Sequence, residues 1–398
     1  MNPVATARSL VLVAVVAASL AACGGWFARE GAPSVPYAIP PKLDDGWDTA
    51  SVENAGIDRT RVEQLTGSIR SRPELNVHAV LIERDGRLVY EEYFEGKDEK
   101  WGVPLRDFTH NRDMRHDLRS VTKSVVSALV GIAAASGAIK SLDTPLLDYF
   151  PEYQDLQVPA RRLITIRHAL SMSAGLEWDE DRPYNDPKND EIAMGRASDP
   201  IRYVLAREIV AAPGTTWRYN GGTTQVLGAI VQRTTGKPLA EYAQSVLWSP
   251  LGVTDVEWLG NLASLPSAAS GLRLRPRDLA KFGSLYLHDG RWHGRQVVPA
   301  DWVRESTRRQ ITFPSQTDRG YAYQWWHTCY RGPSGPIETP TAVGNGFQRI
   351  YVVRAAKTVV TFLCGRYNNR GANPPDMLMR EFVFPALPRT ATAKCPAE

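Results

Sequence analysis

A serine and a lysine one helical turn apart stand at the start of a predicted amphipathic helix. The residues Arg-Ser-Val-Thr-Lys-Ser at 119–124 are followed by apolar residues at helical spacing as far as Gly137. Ser120 and Lys123 therefore share one face of this helix, whose N-terminus carries partial positive charge and unpaired N–H groups. These groups would stabilise an alkoxide and then an oxyanion, so the position suits a nucleophile. The alternative is a plain N-cap, because serine often opens helices.

Two later loops carry further candidate residues in front of regular elements. The turn-rich loop 213–222 contains Tyr219 and precedes a helical pattern that ends at Gly236, and residues 343–348 run into a strand-like segment. A phenol beside a lysine ammonium loses its proton more easily, so Tyr219 could act as general base and then as acid. Alternatively, a desolvated, neutral Lys123 is the base and Tyr219 relays the proton. A structural aromatic residue beneath a glycine-rich turn is the third possibility.

The order of these motifs resembles that of the serine β-lactamase, penicillin-binding protein and esterase superfamily, which carries Ser-x-x-Lys, Tyr-x-Asn and Lys-Thr-Gly. The resemblance extends from about residue 54 to about residue 387. It is strongest towards the branch that includes the 6-aminohexanoate-dimer hydrolases, through His-Asp-Leu-Arg at 116–119 and Gly-Leu-Arg-Leu-Arg-Pro-Arg-Asp at 271–278. It implies that Ser120 forms an acyl-enzyme with help from Lys123 and Tyr219. The implied substrate is a small ester or amide, hydrolysed without a cofactor.

Two departures from the family motifs bear on the substrate. Gly221 replaces the motif asparagine, so the amide that would contact Lys123 is missing unless Asn220 supplies it. Ala342 and Val343 replace the lysine and threonine that hold a substrate carboxylate in the family. We therefore expect weak activity on β-lactams and D-Ala-D-Ala peptides, which both carry that carboxylate. The second hypothesis is a β-lactam-binding or peptidoglycan-binding lipoprotein with little turnover, which the retained catalytic set argues against.

The remaining site residues are predicted from the later loops. The backbone N–H of Asn345 would complete an oxyanion hole with that of Ser120, although Asn-Gly is also a common hairpin turn. The acidic, aromatic loop 177–186 lies where relatives carry substrate contacts, so Asp181 and Tyr184 are candidates, unless these acids are simply solvated. The other candidate substrate contacts are Asn220, Gly344 and His327. His327 could equally be a buried strand residue.

The N-terminus resembles that of an exported bacterial lipoprotein. Residues 1–22 have a short polar start and an apolar run too short for a comfortable bilayer span, and they end in Leu-Ala-Ala before Cys23. In such a lipobox the leader is removed and the cysteine is lipidated, so Cys23 is the predicted lipid anchor. Gly24 favours the outer membrane, with the protein on its periplasmic side or at the cell surface. A simple secretory signal with a coincidental cysteine is the alternative.

The pattern of elements predicts an α+β fold. Residues 77–82 and 87–94 read as one hairpin, and residues 347–353 and 359–364 read as a second. The two hairpins would join in one antiparallel sheet flanked by helices, with a mainly helical subdomain inserted between them. This is also the β-lactamase/transpeptidase-like fold that the resemblance implies. We divide the chain into a signal peptide (1–22), a tether (23–50), the hydrolase domain (51–388) and a tail (389–398).

Composition argues against some functions and leaves other points open. The formal net charge of +4 over 398 residues, without Lys/Arg runs, argues against a nucleic-acid groove. The seven histidines are scattered without metal-binding spacing, so no metal site is predicted. Besides Cys23, three cysteines allow one disulfide, and we favour Cys329 with Cys364 over a bond to Cys395 or three free thiols. The expected partners are a small-molecule substrate and, through the lipid, a membrane; the oligomeric state is not predicted.

Overall fold

The computed structural model describes residues 33–106, 108–260, 265–332, 335–369, 371–388 and Cys395. The predicted signal peptide, the predicted lipid-anchor residue Cys23 and most of the predicted tail lie outside the described residues. Within the described ranges, no helix has the length and the apolar composition that crossing a membrane would require.

Strands recur along the whole described part of the chain. They are β1 Asp48–Thr49, β2 Val77–Arg84, β3 Arg87–Tyr93, β4 Glu95–Gly96, β5 Glu99–Lys100, β6 Val103–Pro104, β7 Phe108–Thr109, β8 His116–Asp117, β9 Glu257–Trp258, β10 Leu272–Leu274, β11 Arg291–Trp292, β12 Arg295–Gln296, β13 Ile311–Phe313, β14 Gln316–Tyr321, β15 Trp326–Gly332, β16 Gly335–Gly344, β17 Gln348–Val353 and β18 Thr358–Cys364. Nine of them form one sheet in the order β1-β3-β2-β18-β17-β16-β15-β14-β13. The β1–β3 pair is parallel and the other neighbours in this sheet are antiparallel.

Helices cover both faces of this sheet and build the segment between its two hairpins. They are α1 Arg59–Arg70, α2 Val121–Ala135, α3 Ile166–Leu170, α4 Asp190–Arg196, α5 Pro200–Leu205, α6 Gly221–Thr235, α7 Leu239–Ala243, α8 Pro276–Leu287, α9 Ala300–Ser306, α10 Pro374–Leu378 and α11 Phe384–Ala386. Two π-helical turns, at Gln244–Trp248 and Met379–Val383, continue α7 and α10.

The two predicted hairpins meet in the middle of the sheet. β2 pairs with β3, and β17 pairs with β18, each antiparallel. The turn between β2 and β3 places Asp85 and Gly86 at φ values of 50° and 82°, the left-handed region that such short turns need and that these residues tolerate. β18 then pairs with β2, with Thr358 opposite Arg84. The prediction that both hairpins join in one antiparallel sheet is confirmed.

The sheet has a hydrophobic core on each face because successive side chains of a strand point to opposite faces. Along β2, Ala79 and Leu81 belong to the core that includes residues of α2, α6 and α8. Val80 and Ile82 belong to the core that includes residues of α1 and of the C-terminal helices. A central sheet covered on both faces gives the loops at its edge a rigid base.

The helical subdomain lies between α2 and α8 in the sequence. α3, α5 and α7 pack against α6, and α6 packs against α2. Since α2 also contacts β16 and β17, its N-terminus lies where the subdomain meets the sheet. α6 begins at Gly221 and ends before Gly236, whose φ of 68° is left-handed, as the helical pattern predicted.

The last part of the predicted tether is packed against the domain. Trp47 is fully buried, and its indole N–H donates to the Arg277 carbonyl at 3.2 Å. Tyr37 donates its hydroxyl to the Val89 carbonyl at 2.7 Å. β1 adds to the edge of the sheet beside β3. This part of the predicted tether is therefore held in place by α8 and the sheet.

The disulfide joins Cys329 to Cys395, with Cα atoms 5.9 Å apart. The favoured pairing of Cys329 with Cys364 is wrong. β16 and β17 lie between the strands of those two cysteines, so at ~4.8 Å per strand they are about 14 Å apart, beyond the reach of a disulfide. Cys364 is instead a buried free thiol.

Candidate active site

Ser120 stands at the start of α2 but does not cap it. Its backbone has helical torsion angles, φ −67° and ψ −5°, and its side chain makes no hydrogen bond to the helix amides. Its Oγ instead accepts a hydrogen bond from Lys123 Nζ at 3.0 Å. The preceding residue, Arg119, has a φ of 49°, a conformation that is uncommon outside glycine and that concentrates at functional turns. The plain N-cap alternative is therefore wrong for this serine.

Lys123 is buried, and its ammonium finds three acceptors. Besides Ser120 Oγ, its Nζ donates to Glu191 Oε2 at 3.2 Å and to the Ala269 carbonyl at 3.0 Å. Glu180 Oε1 lies 3.7 Å away. Burial alone would lower the pKa of Lys123, but the neighbouring acidic groups, led by Glu191, raise this pKa above its ordinary value. Lys123 is therefore a charged, fully hydrogen-bonded ammonium and not a neutral amine.

Glu180 accepts three hydrogen bonds in the loop beside Lys123. The donors are the Trp178 indole at 2.8 Å, the Tyr184 hydroxyl at 2.7 Å and the Gly221 backbone N–H at 2.6 Å. Burial and a neighbouring carboxylate raise the pKa of Glu180 to about 7, although the charge of Lys123 opposes the rise. This carboxyl group can therefore hold a proton near neutral pH.

Glu191 faces the same ammonium from α4. Its Oε1 accepts a hydrogen bond from the Ser270 hydroxyl at 2.5 Å, and its Oε2 accepts from Lys123. Burial would raise the pKa of Glu191, but the charge of Lys123 and the hydrogen bonds from Glu180 and Ser270 lower it below its ordinary value. Of the two carboxyl groups, Glu191 is therefore the ionised one and Glu180 the one that takes up a proton.

Tyr219 lies over Lys123, whose Nζ is 5.0 Å from the centre of the phenol ring. Burial raises the pKa of Tyr219 above its ordinary value, although the charge of Lys123 and a hydrogen bond with Ser120 oppose the rise. The directions of the two pKa shifts favour a phenol at Tyr219 and an ammonium at Lys123 over a phenolate and a neutral amine, the two bases that the sequence left open.

Gly221 makes room for the two carboxyl groups where the family motif has asparagine. A Cβ at this residue would collide with the Glu191 carboxylate and would lie 3.0 Å from Glu180 Oε2. The possibility that Asn220 supplies the missing amide finds no support here, because Asn220 is buried and its Oδ1 caps α6 by accepting from the Thr223 N–H at 3.1 Å. A carboxylate thus contacts the lysine where the resemblance implied an amide.

The end of β16 lies against the segment that carries Ser120. A Cβ at Gly344 would collide with the Leu118 carbonyl, so this close approach requires glycine. Gly344, Asn345 and Ser120 line one cleft together. The side chain of Asn345 is held by Asn368, with its Nδ2 3.0 Å from Asn368 Oδ1 and its Oδ1 2.8 Å from the Asn368 backbone nitrogen. The two predicted oxyanion residues are therefore brought to the same cleft.

The third motif presents no polar side chain at its first two positions. Ala342 is buried in β16, and Val343 lines the cleft. Arg349 lines the same cleft, and its Nη1 donates to the Gly344 carbonyl at 3.2 Å. A carboxylate in this cleft would therefore meet an arginine and not the lysine of the family motif.

Ser120 lines two adjacent cavities of different character. The first encloses about 390 Å³ and has an apolar side formed by Ile192, Met194, Pro200 and Leu265. The second encloses about 600 Å³ and is more basic, with Arg182, Arg319 and Arg349 among its walls. Ser120 thus borders both an apolar and a basic compartment.

Of three further predicted substrate contacts, Tyr184 lies in the cleft, and Asp181 and His327 do not. Tyr184 lines both cavities, as a substrate contact should. Asp181 is exposed and lines neither of these two cavities; the acid that its loop turns inwards is the adjacent Glu180. His327 is 2% exposed and points away from the cleft, because its neighbour Trp326, on the other face of β15, lines it. The predictions for Asp181 and His327 as cleft residues are wrong, and His327 is a buried strand residue.

Glu180, Glu191 and Ser270 were missed by sequence reasoning. No motif marks them, and Glu191 owes its place to the start of α4, which is capped by the side chain of Asn189. The sequence feature that pointed to these residues was Gly221. A glycine in place of the motif asparagine leaves space beside the lysine, and another polar group must fill that space.

Comparisons with known proteins agree with this geometry. A family model described as Beta-lactamase matches residues 67–383. The 6-aminohexanoate-dimer hydrolase of Paenarthrobacter ureafaciens is 28% identical over 236 residues, which cover 54% of this chain and 58% of that protein. Esterase EstB of Burkholderia gladioli is 30% identical over 191 residues, which cover 44% of this chain and 45% of that protein. The chain thus spans about half the length of these curated relatives.

Solved structures show the same fold. EstCE1, described as a hydrolase with promiscuous acyltransferase activity, matches with a TM-score of 0.65 at 17% identity, covering 81% of this chain and 97% of that chain. At this level of identity the likeness concerns the fold alone. The predicted α+β architecture with an inserted helical subdomain is confirmed.

Proposed function

Since the chain belongs to the beta-lactamase family, we propose that it is a serine hydrolase that forms an acyl-enzyme at Ser120 and releases the acyl group to water. The observation that carries this proposal is the 3.0 Å contact between Lys123 Nζ and Ser120 Oγ at a helix N-terminus, beside a cavity of about 390 Å³. The helix N-terminus and the backbone N–H groups of Ser120 and Asn345 would stabilise the oxyanion.

The carboxyl pair supplies a route for the proton of the nucleophile. At rest, Lys123 is an ammonium and Glu191 a carboxylate. As Ser120 attacks, Lys123 passes one proton to Glu191 and accepts the seryl proton, so the seryl oxygen bonds to the acyl carbon and one proton ends on Glu191. That proton returns through Lys123 and the phenol of Tyr219 to the departing alcohol or amine. Water then attacks the acyl carbon and loses a proton along the same route. The bond between the acyl carbon and Ser120 Oγ breaks, and Ser120 Oγ takes up that proton.

A small ester or amide suits the two compartments. The apolar side of the first cavity, which includes Met194 and Leu265, would accept a short acyl or alkyl group. The names of the esterase and amide-hydrolase relatives support this substrate class. The second candidate is a β-lactam-binding or peptidoglycan-binding protein with little turnover. The arginines of the second cavity favour it, because they could hold a carboxylate.

Fluorophosphonate labelling and turnover of p-nitrophenyl butyrate test the proposal on the full-length protein. Ser120→Ala should abolish both, whereas Ser127→Ala, which changes a buried serine two turns further along α2, should change neither. Lys123→Ala and Tyr219→Phe should each lower kcat/KM by at least about a hundredfold. Equal labelling of the Ser120→Ala protein would refute the assignment, and labelling without turnover would favour the second candidate.

A further inference from the structure

Three histidines and an aspartate form a buried cluster outside the proposed active site. His78 lies on β2 and His116 on β8, while Asp98 and His110 lie in the connections between these strands. One ligand atom from each residue lies within 4.8 Å of those of the other three. None of the four is more than 6% exposed. The sequence predicts no metal site because its histidines are scattered along the chain, but the fold brings these three together.

Hydrogen bonds outside the cluster determine which nitrogen carries the proton in two of the rings. The Asn76 amide is oriented by Lys97, because its Nδ2 donates to the Lys97 carbonyl at 2.8 Å and its Oδ1 accepts from the Lys97 N–H at 3.0 Å. The same Oδ1 lies 3.3 Å from His78 Nε2, which must therefore be the donor. His116 Nδ1 likewise donates to the Asp117 carbonyl at 2.9 Å.

In a neutral imidazole the second nitrogen carries a lone pair, and in these two rings the second nitrogens face each other. His78 Nδ1 and His116 Nε2 are 2.8 Å apart. Two lone pairs this close repel each other unless a cation lies beside them. The carboxylate oxygen Asp98 Oδ1 lies 3.5 Å from His116 Nε2 and 3.9 Å from His78 Nδ1. Imidazole and carboxylate are ligands of zinc, and a zinc-bound histidine usually donates its other N–H to a carbonyl or carboxylate oxygen.

We propose that His78, Asp98, His110 and His116 bind one Zn²⁺ ion as a structural site. Ligands of tetrahedral zinc, each about 2.0 Å from the metal, lie about 3.3 Å from one another. The separations among His78, His116 and Asp98 are 2.8, 3.5 and 3.9 Å, which bracket that value. The ligand atom of His110 lies within 4.8 Å of the other three. Four protein ligands leave no position for water or substrate, which is the pattern of structural zinc.

The surroundings of the cluster suit this role. A Cβ at Gly96 would lie 2.7 Å from atoms of the His78 ring, and a Cβ at Gly365 would lie 2.5 Å from Asn76 Nδ2, so glycine permits the close packing.

A zinc ion here would hold the segment that leads into the nucleophile. His116 precedes Ser120 by four residues. On the other side of the cluster, Asp98 Oδ1 accepts a hydrogen bond from the Tyr367 hydroxyl at 2.9 Å. Tyr367 is followed by Asn368, the residue that holds the side chain of Asn345. The ion would thus link β2 and β8 to the segments on both sides of the predicted oxyanion site.

Metal analysis of the full-length protein, purified without chelator, tests the proposal. We expect about one zinc per chain by mass spectrometry, and Co²⁺ added to the stripped protein should give the strong visible absorption of tetrahedral cobalt. His116→Ala and Asp98→Asn should each weaken Co²⁺ binding by at least about a hundredfold. The control is His293→Asn, which changes an exposed histidine whose left-handed backbone asparagine tolerates; it should bind Co²⁺ as the wild type does.

A second measurement uses the wild-type protein, so it does not depend on whether the ligand variants fold. Stripping the wild-type protein should lower its thermal unfolding temperature, and Zn²⁺ but not Mg²⁺ should restore it. A wild-type protein that holds no zinc and binds Co²⁺ no more tightly than His116→Ala would overturn the proposal. In that case a proton shared between His78 and His116 would supply the positive charge that offsets the repulsion between the two rings. Unchanged Co²⁺ binding in both ligand variants would also overturn the zinc proposal.

Discussion

The Glu191 carboxylate occupies the space that a side chain at Gly221 would need. A Cβ at residue 221 would collide with Glu191 Oε2, the atom that accepts the hydrogen bond from Lys123 at 3.2 Å. Where the family motif places asparagine, a glycine and a glutamate from α4 together put a charge beside the lysine. This arrangement accounts for the ammonium form of Lys123 and makes the carboxyl pair part of the proposed proton route.

Gly221→Ala should disable the site without removing a catalytic group. Its methyl group would push Glu191 away from Lys123, so we expect kcat/KM for p-nitrophenyl butyrate to fall by about a hundredfold. The free energy of unfolding in urea should fall by about 1–3 kcal/mol. In a Glu191→Ala background the same change should cost less stability, because the collision is gone. Fully additive losses of stability would show that the two residues do not compete for space.

Glu191→Gln keeps the shape of the side chain and removes its charge. An amide cannot accept the proton that Lys123 must pass on, so kcat/KM should fall by at least about a hundredfold. Glu241→Gln, which changes an exposed glutamate of α7, should leave the activity unchanged. Activity of the Glu191→Gln protein within about threefold of the wild type would contradict the proposed proton route.

The decrease of kcat/KM at low pH should reflect the protonation of Glu180. Because burial raises its pKa to about 7, the carboxyl pair is fully ionised above that pH and holds one proton below it. A pair that already holds a proton accepts another less readily, so kcat/KM should fall as the pH decreases through about 7. Glu180→Gln should move the inflection to lower pH, and Glu177→Gln, in the same loop but exposed, should leave it in place. An inflection that Glu180→Gln does not move belongs to another group.

Nitrocefin should be a poor substrate beside p-nitrophenyl butyrate. Ala342 and Val343 offer no charge or hydroxyl to its carboxylate, and a lost charge-assisted hydrogen bond costs on the order of 1.5–3 kcal/mol. We expect kcat/KM for nitrocefin to be at least about a hundredfold below that for the ester. If nitrocefin proves the better substrate, Arg349→Gln should remove that activity and spare the ester. The arginines of the 273–277 run are ion-paired with acidic residues and do not line the described cleft.

The lipid anchor at Cys23 is a prediction from the lipobox. In a bacterial host, the full-length protein should enter the membrane fraction and incorporate labelled palmitate. Cys23→Ser should stop both, whereas Cys364→Ala, which removes the buried free thiol, should change neither. Palmitate incorporation by the Cys23→Ser protein would show that another residue carries the lipid.

Local patterns in the sequence were sufficient to predict the two central hairpins, the helices α2 and α6, and the contact between Ser120 and Lys123. Both hairpins were predicted because the strand-like residue patterns, and the Asp-Gly turn of the first hairpin, depend only on neighbours in the chain. Ser120 and Lys123 were predicted to meet because residues one turn apart on a helix share a face. The motif order then predicted the place of Tyr219, at the start of α6.

The tertiary structure alone decided what surrounds the lysine and which distant residues meet. Glu191 contacts Lys123 across 68 residues of chain, and the Ala269 carbonyl contacts it across 146. The pairing of Cys329 with Cys395 and the meeting of three histidines with Asp98 are of the same kind. These contacts depend on how strands and helices pack against one another, and a local pattern of residues does not specify that packing.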